Sequence, residues 1–185
     1  MRSFSSAICA LIVPALAACA SSVTATDPVY EVAGLRDIFQ HAAAGRDLLT
    51  EVRGNPTAAP KAAFDAAVLA AMQGRNGGPV THFTTAPAAD AHTEYRVVLA
   101  FAADSVPSAR AACGTVGPLA AAGRPAYLKA AFCYRDRALA HLEIAAGAMR
   151  SPDDPRLRNA VSLAVGQLFP LSDPDRPTNG GDQFD

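Results

Sequence analysis

Ala126-Tyr127-Leu128-Lys129-Ala130-Ala131-Phe132-Cys133-Tyr134-Arg135-Asp136-Arg137-Ala138-Leu139-Ala140-His141-Leu142-Glu143-Ile144-Ala145-Ala146 admits two readings. At helical spacing, Leu128, Phe132, Leu139, Leu142 and Ala146 form one stripe, and the Ala, Leu, Lys and Arg content suits a helix. At a period of two, Leu128, Ala130, Phe132 and Tyr134 line one strand, and Ala140, Leu142 and Ile144 line its partner. The turn would then fall at Arg135-Asp136, which is not a favoured two-residue hairpin loop. The pattern alone leaves helix and hairpin both open.

The segments around this stretch are clearer. Tyr95 to Phe101 alternates, with Tyr95, Val97, Leu99 and Phe101 on one face and Arg96, Val98 and Ala100 on the other. Large apolar side chains on one side predict a half-buried antiparallel strand. Val80 to Thr85 reads as a strand, and Leu48 to Arg53 as a short one ending at Gly54-Asn55-Pro56. Pro60 opens a helix whose stripe is Phe64, Ala67, Val68, Ala71 and Met72. Asp154-Pro155 caps and opens another, with Leu157, Ala160, Val161, Ala164 and Leu168 buried. Asp27-Pro28 predicts a first helix through Val32, Leu35, Phe39, Ala42 and Ala43, with Gly34 weakening it. Residues 104–123 are rich in Gly, Pro and Ala and predict a loop with a short helix.

The N-terminus reads as an export address. Met1 and Arg2 are followed by an uncharged apolar run from Ala7 to Ala18, too short for a bilayer span of about 20 residues. Its end, Leu16-Ala17-Ala18-Cys19, resembles the lipobox of bacterial lipoproteins. That resemblance implies a diacylglyceryl thioether on Cys19, cleavage of residues 1–18, and acylation of the new amino group by a fatty acid such as palmitate. The alternative is ordinary signal cleavage near Ala15-Leu16-Ala17, releasing a soluble exported protein. Ala20, rather than Asp, after Cys19 implies sorting to the outer membrane, facing the periplasm. Residues 19–26 then form the lipidated Cys and a short tether; seven residues reach roughly 25 Å at most. Residues 27–170 are expected to form one globular domain, and 171–185 a disordered acidic tail.

Composition narrows the function classes. Sixteen Lys+Arg against 17 Asp+Glu leave no cationic excess for phosphate contacts, so no nucleic-acid partner is expected. The apolar half of the chain includes 42 alanines, so much of it is small surface. No H-x-x-x-H, C-x-x-C or H-E-x-x-H motif joins His41, His82, His92 and His141, and no metal or other cofactor is expected. Gly74-Arg75-Asn76-Gly77-Gly78 lacks the Lys-Ser/Thr of a phosphate loop and reads as a turn. Asp153-Asp154 reads as a helix cap rather than an acid pair. Cys113 offers either a thiol nucleophile or, with Cys133 in an oxidising compartment, a disulfide; the disulfide is the expectation.

Short pieces of the body resemble a loosely defined group of uncharacterised bacterial envelope lipoproteins. They are Gly45-Arg46-Asp47, Gly54-Asn55-Pro56, Phe83-Thr84-Thr85, Tyr95-Arg96-Val97-Val98-Leu99, Ala131-Phe132-Cys133, Asp136-Arg137-Ala138-Leu139 and Pro152-Asp153-Asp154-Pro155. In that group a Gly-Asp-type turn follows the Phe-Cys segment, which implies strand–turn–strand; here Arg135 stands in the Gly position. The resemblance implies no activity. With the hairpin adopted, the fold class is α+β: an antiparallel sheet of about four or five strands, with about three helices packed mainly on one face. Period-two geometry then gathers Arg96, Lys129, Cys133, Arg137, His141 and Glu143 on the face opposite the core. That face is either an ordinary solvated one or a binding face for an anionic headgroup, a glycan or a partner edge. The expected function is a membrane-anchored envelope lipoprotein acting as a non-catalytic binding or assembly module, with a possible envelope protein partner. The alternatives are an anchored hydrolase and a small-ligand or lipid carrier.

Overall fold

The computed structural model describes residues 23–172. The expected signal at 1–18, the lipidation residue Cys19 and the tail beyond 172 lie outside the described residues. The elements are β1 (Thr24–Ala25), β2 (Val29–Tyr30), α1 (Leu35–Ala43), β3 (Asp47–Arg53), α2 (Lys61–Met72), β4 (His82–Thr84), β5 (Tyr95–Ala102), a 3-10 turn (Ala109–Cys113), β6 (Pro125–Tyr134), β7 (Arg137–Ala148) and α3 (Pro155–Leu168). Residues 126–146 are a hairpin, and its two strands are the longest among the described residues. The turn is made by Arg135 at φ 52°, the left-handed region that glycine enters most cheaply. Two hydrogen bonds over-determine that conformation. The Arg135 amide donates to the Glu94 carbonyl at 2.7 Å, and the Arg135 carbonyl accepts from the Arg96 guanidinium at 2.7 Å.

The fold is mixed α+β, but the sheet has seven strands and mixed orientation. Its order is β1-β7-β6-β5-β3-β4, with β2 also on β7. β5, β6 and β7 are antiparallel, whereas β3 runs parallel to both β4 and β5. This corrects the expectation of a purely antiparallel sheet of four or five strands. Parallel neighbours need a crossover, and α2 supplies it between β3 and β4.

The other correction concerns the first helix. Asp27-Pro28 leads into β2, where Val29 pairs with His141 and Tyr30 with Ala140. The helix begins only after Gly34, at φ 69°. Its apolar stripe, Leu35, Phe39, Ala42 and Ala43, is buried as the spacing requires. Part of the expected tether is also folded: Thr24 pairs with Ala145 and Ala25 with Ile144, so the domain starts before residue 27.

All three helices share one core with Val97, Leu99, Phe101, Leu128, Ala130, Phe132, Leu142 and Ile144 on one sheet face. Phe64, Phe83, Phe101 and Phe132 are its largest wholly buried apolar side chains. Each is worth about 1.5–3 kcal/mol of burial. Phe39 stacks on Phe169 at 4.0 Å between ring centroids, tying α1 to the end of α3. The opposite sheet face carries a second, smaller core: Val98, Ala100, Ala131, Cys133 and Ala138 lie under Ala112 and Cys113. β5 is therefore buried on both faces from Val97 to Ala102 rather than half-buried.

Candidate functional site

The covered sheet face is where the polar side chains collect. Cys113 and Cys133 form a disulfide with Cα atoms 5.7 Å apart. It pins the 3-10 turn across β6, beside small side chains that let backbone approach the sheet closely. Two arginines fasten the same segment from the β3–β5 side. Arg53 donates to the carbonyls of Ala112 at 3.0 Å and Gly114 at 2.8 Å. Arg96 donates to the Cys113 carbonyl at 2.7 Å. Glu51 stands between them, hydrogen-bonded to Arg53 and 2.8 Å from Arg96 Nε. This last contact is an ion pair lacking hydrogen-bond geometry, so the buried Nε keeps no hydrogen-bond partner among the described residues. The parallel register explains the meeting: Glu51 lies opposite Val98 and Leu49 opposite Arg96, so Glu51 and Arg96 are diagonal neighbours on one face.

A second polar group lies at the β7 side of that face. Lys129 pairs with Glu143 across β6 and β7, is wholly buried, and donates to the Pro107 carbonyl. Burial pushes the Glu143 carboxyl above its usual range and nearby Asp104 adds to this, while the Lys129 charge acts the other way. Next along β7, His141 Nε2 lies 3.1 Å from Glu31 Oε1, and Arg110 Nε lies 3.3 Å from the same oxygen. Glu31 is placed by β2, and its amide donates to the Leu139 carbonyl at 2.8 Å. Charge here is therefore paired and held by backbone.

Of the residues expected on this face, the structure brings Arg96, Lys129, Cys133, His141 and Glu143 to it, but not Arg137. The register slips between Phe132 and Cys133: Phe132 faces Ala140, Cys133 faces Ala138, and Tyr134 faces Arg137. One extra residue in β7 breaks the alternation, so Arg137 moves to the Tyr134 side. Nor is the face an open cationic surface, because Lys129 and Cys133 lie beneath residues 104–123. Sequence reasoning missed Glu31, Glu51, Arg53 and Arg110. Glu51 and Arg53 carried a signal, two charges at i and i+2 on a strand, but its meaning required knowing that β3 pairs with β5.

Elsewhere, His82 Nδ1 meets Asp47 Oδ1 at 2.8 Å, and the Ala88 amide donates to Asp47 Oδ2 at 2.8 Å. These bonds, the histidine's first, hold the Asp47 carboxyl below its ordinary range. His41 and His92 stack at 4.7 Å beside Tyr95. A groove of about 220 Å³ between α2 and α3 is lined by Ala67, Ala70, Ala71, Arg75, Asp153 and Arg158 among others. Among the described residues no group of three or more His, Cys, Asp or Glu side chains is arranged to hold a metal ion, and no helix is long and apolar enough to cross a membrane. Compared with protein-family models, with curated proteins and with solved structures, the chain matches none.

Proposed function

We propose that this protein is a lipid-anchored component of the bacterial envelope, held through Cys19 in the outer membrane on its periplasmic side. Its folded body then acts as a binding or assembly module at that same membrane. The observation that carries the reading is the position of the first strand. Thr24–Ala25 is already paired to β7 five residues after the lipobox cysteine, and Val23 packs against the core. Four residue steps from Val23 to Cys19 reach at most about 14 Å. A body on so short a lead meets partners beside its bilayer and not across the periplasm. Three acyl chains would suit the role, since one chain alone holds a protein to a membrane only marginally. The polar group of Glu31, His141, Arg110 and Glu143 offers the body a partly exposed set of charges for a protein partner.

Replacing the thiol tests the anchor. A Cys19→Ser chain is expected to be unprocessed or released from membranes on fractionation. Normal processing together with unchanged membrane fractionation would overturn the lipoprotein reading.

A further inference from the structure

The sheet register fixes the end of the molecule from which Val23 leads away from the sheet. Thr24 faces Ala145, Ala145 faces Tyr127, Tyr127 faces Ala102, and Ala102 bridges to Leu119. These residues form a continuous row across β1, β7, β6 and β5, spanning about 19 Å at roughly 4.8 Å per strand. Because β1 is antiparallel to β7, the chain running back from Thr24 toward Cys19 leaves the sheet at the end where β7 finishes and β6 begins. The rim beyond the row is Val23, Gly147 to Arg150, Arg124-Pro125 and Ala103 to Val106.

This end of the sheet carries two of the large apolar side chains that the fold leaves in solvent, Val106 on the rim at 71% exposure and Leu119 at the end of the row at 46%. Val106 precedes Pro107, whose carbonyl receives Lys129, only one pleat inside the row. The exposed guanidinium groups of Arg124 and Arg150 stand on the same rim, with Asp104 an exposed acid among them. The headgroup layer on each side of a bilayer is about 5–8 Å thick. A lead of about 14 Å from Val23 to a lipidated Cys19 therefore spends about a third to somewhat over half of its length inside that layer.

We propose that this rim is a membrane-contact surface. Val106 and Leu119 enter the headgroup layer of the phospholipid leaflet that holds Cys19, while Arg124 and Arg150 meet its phosphates. The proposal rests on the lipid anchor. Apolar side chains of peripheral elements settle at the headgroup–acyl boundary, and arginines beside them strengthen contact with anionic lipids.

The chain contains no tryptophan, so one introduced indole reports alone. Val106→Trp, Leu119→Trp and, at the opposite end of the sheet, Val80→Trp would be purified as the full lipid-bearing chain. Val80 is 88% exposed. Each would be reconstituted into phosphatidylcholine–phosphatidylglycerol vesicles with lipids brominated near the headgroup. Emission from the Val106→Trp and Leu119→Trp chains is expected to fall by about twofold or more, with the Val80→Trp chain unchanged. Adding Arg124→Glu and Arg150→Glu is expected to restore much of the lost emission. Equal quenching at all three positions, or none at the first two in a chain that floats with the vesicles, would overturn the contact surface. Quenching unaffected by the arginine replacements would overturn their phosphate contacts. A chain without lipid mass on Cys19 that fails to float overturns the anchor itself, so the two failures are distinguishable.

Discussion

Arg135 adopts a left-handed conformation that costs a residue with a Cβ about 1–2 kcal/mol. Its guanidinium lies 5.3 Å from the Tyr134 ring centroid, a contact worth about 0.5–1 kcal/mol at an exposed site. Backbone relief exceeds the lost contact, so Arg135→Gly should raise stability by about 0.5 kcal/mol in urea denaturation, and Arg135→Val should lower it. Glu143 makes a different prediction at the same scale. A carboxyl raised on folding binds more protons folded than unfolded between its two pKa values, so stability falls as pH rises through that window. For Glu143 the window opens at the ordinary value of 4.5 and extends upward. Asp47, lowered from 3.8 chiefly by its His82 hydrogen bond, acts with the opposite sign in a lower window. Its contribution is present above 3.8 and is lost as pH falls toward its folded value. Denaturation midpoints measured across pH 3–7 should therefore lose their decline above 4.5 in Glu143→Gln and keep their acid limb. A decline that persists in the variant would remove Glu143 as its source.

At the scale of elements, the segment over the second sheet face depends on one crosslink and two arginines. The disulfide closes a separation of 20 residues. Chain entropy alone assigns such a loop about 3 kcal/mol. Replacing Cys113 and Cys133 together by Ser should lower the thermal midpoint by roughly 6–12 °C for a domain of this size. Hydrogen exchange should also quicken at Val98, Ala100 and Ala131, which the segment covers. A variant with wild-type midpoint and protection would mean that the Arg53 and Arg96 bonds to backbone carbonyls hold the segment alone. The Cys113–Cys133 pairing was legible in the sequence because, on the reading that removes Cys9 with a signal and lipidates Cys19, these are the two thiols that remain. The helices at 61–72 and 155–168 were legible because their apolar stripes repeat locally. Strands β1 and β2 were not: two residues have no period, and Val29-Tyr30 becomes strand only because β7 offers free backbone groups opposite it.

For the whole molecule, the proposed anchor at Cys19 makes the short lead decide where the body would work. Inserting a long Gly/Ser spacer after Ser22 should impair envelope function if contact with its own membrane matters. The measurement is complementation of a deletion strain by chains with graded spacers. Full activity at every spacer length would show that proximity plays no part. The paired edge makes this insertion site suitable, because Val23 onward belongs to the fold while Ser22 precedes the described residues.

The sequence by itself determined what local periodicity and local chemistry can carry. That includes the two amphipathic helices, the alternating strand at 95–101, the Asp154 cap on the Arg156 amide, the lipobox resemblance and the cysteine pair. It left the helix-or-hairpin choice at 126–146 open, since alanine fits both periods and presents little area to either face. Only the tertiary structure decided three further matters. β3 lies parallel to β5, which aligns Glu51 with Arg96. A one-residue bulge sends Arg137 away from the Lys129 row. The 104–123 segment buries that row instead of leaving it to solvent. Each depends on contacts between residues distant in the chain, where the side-chain pattern of one strand does not specify its partner, register or cover.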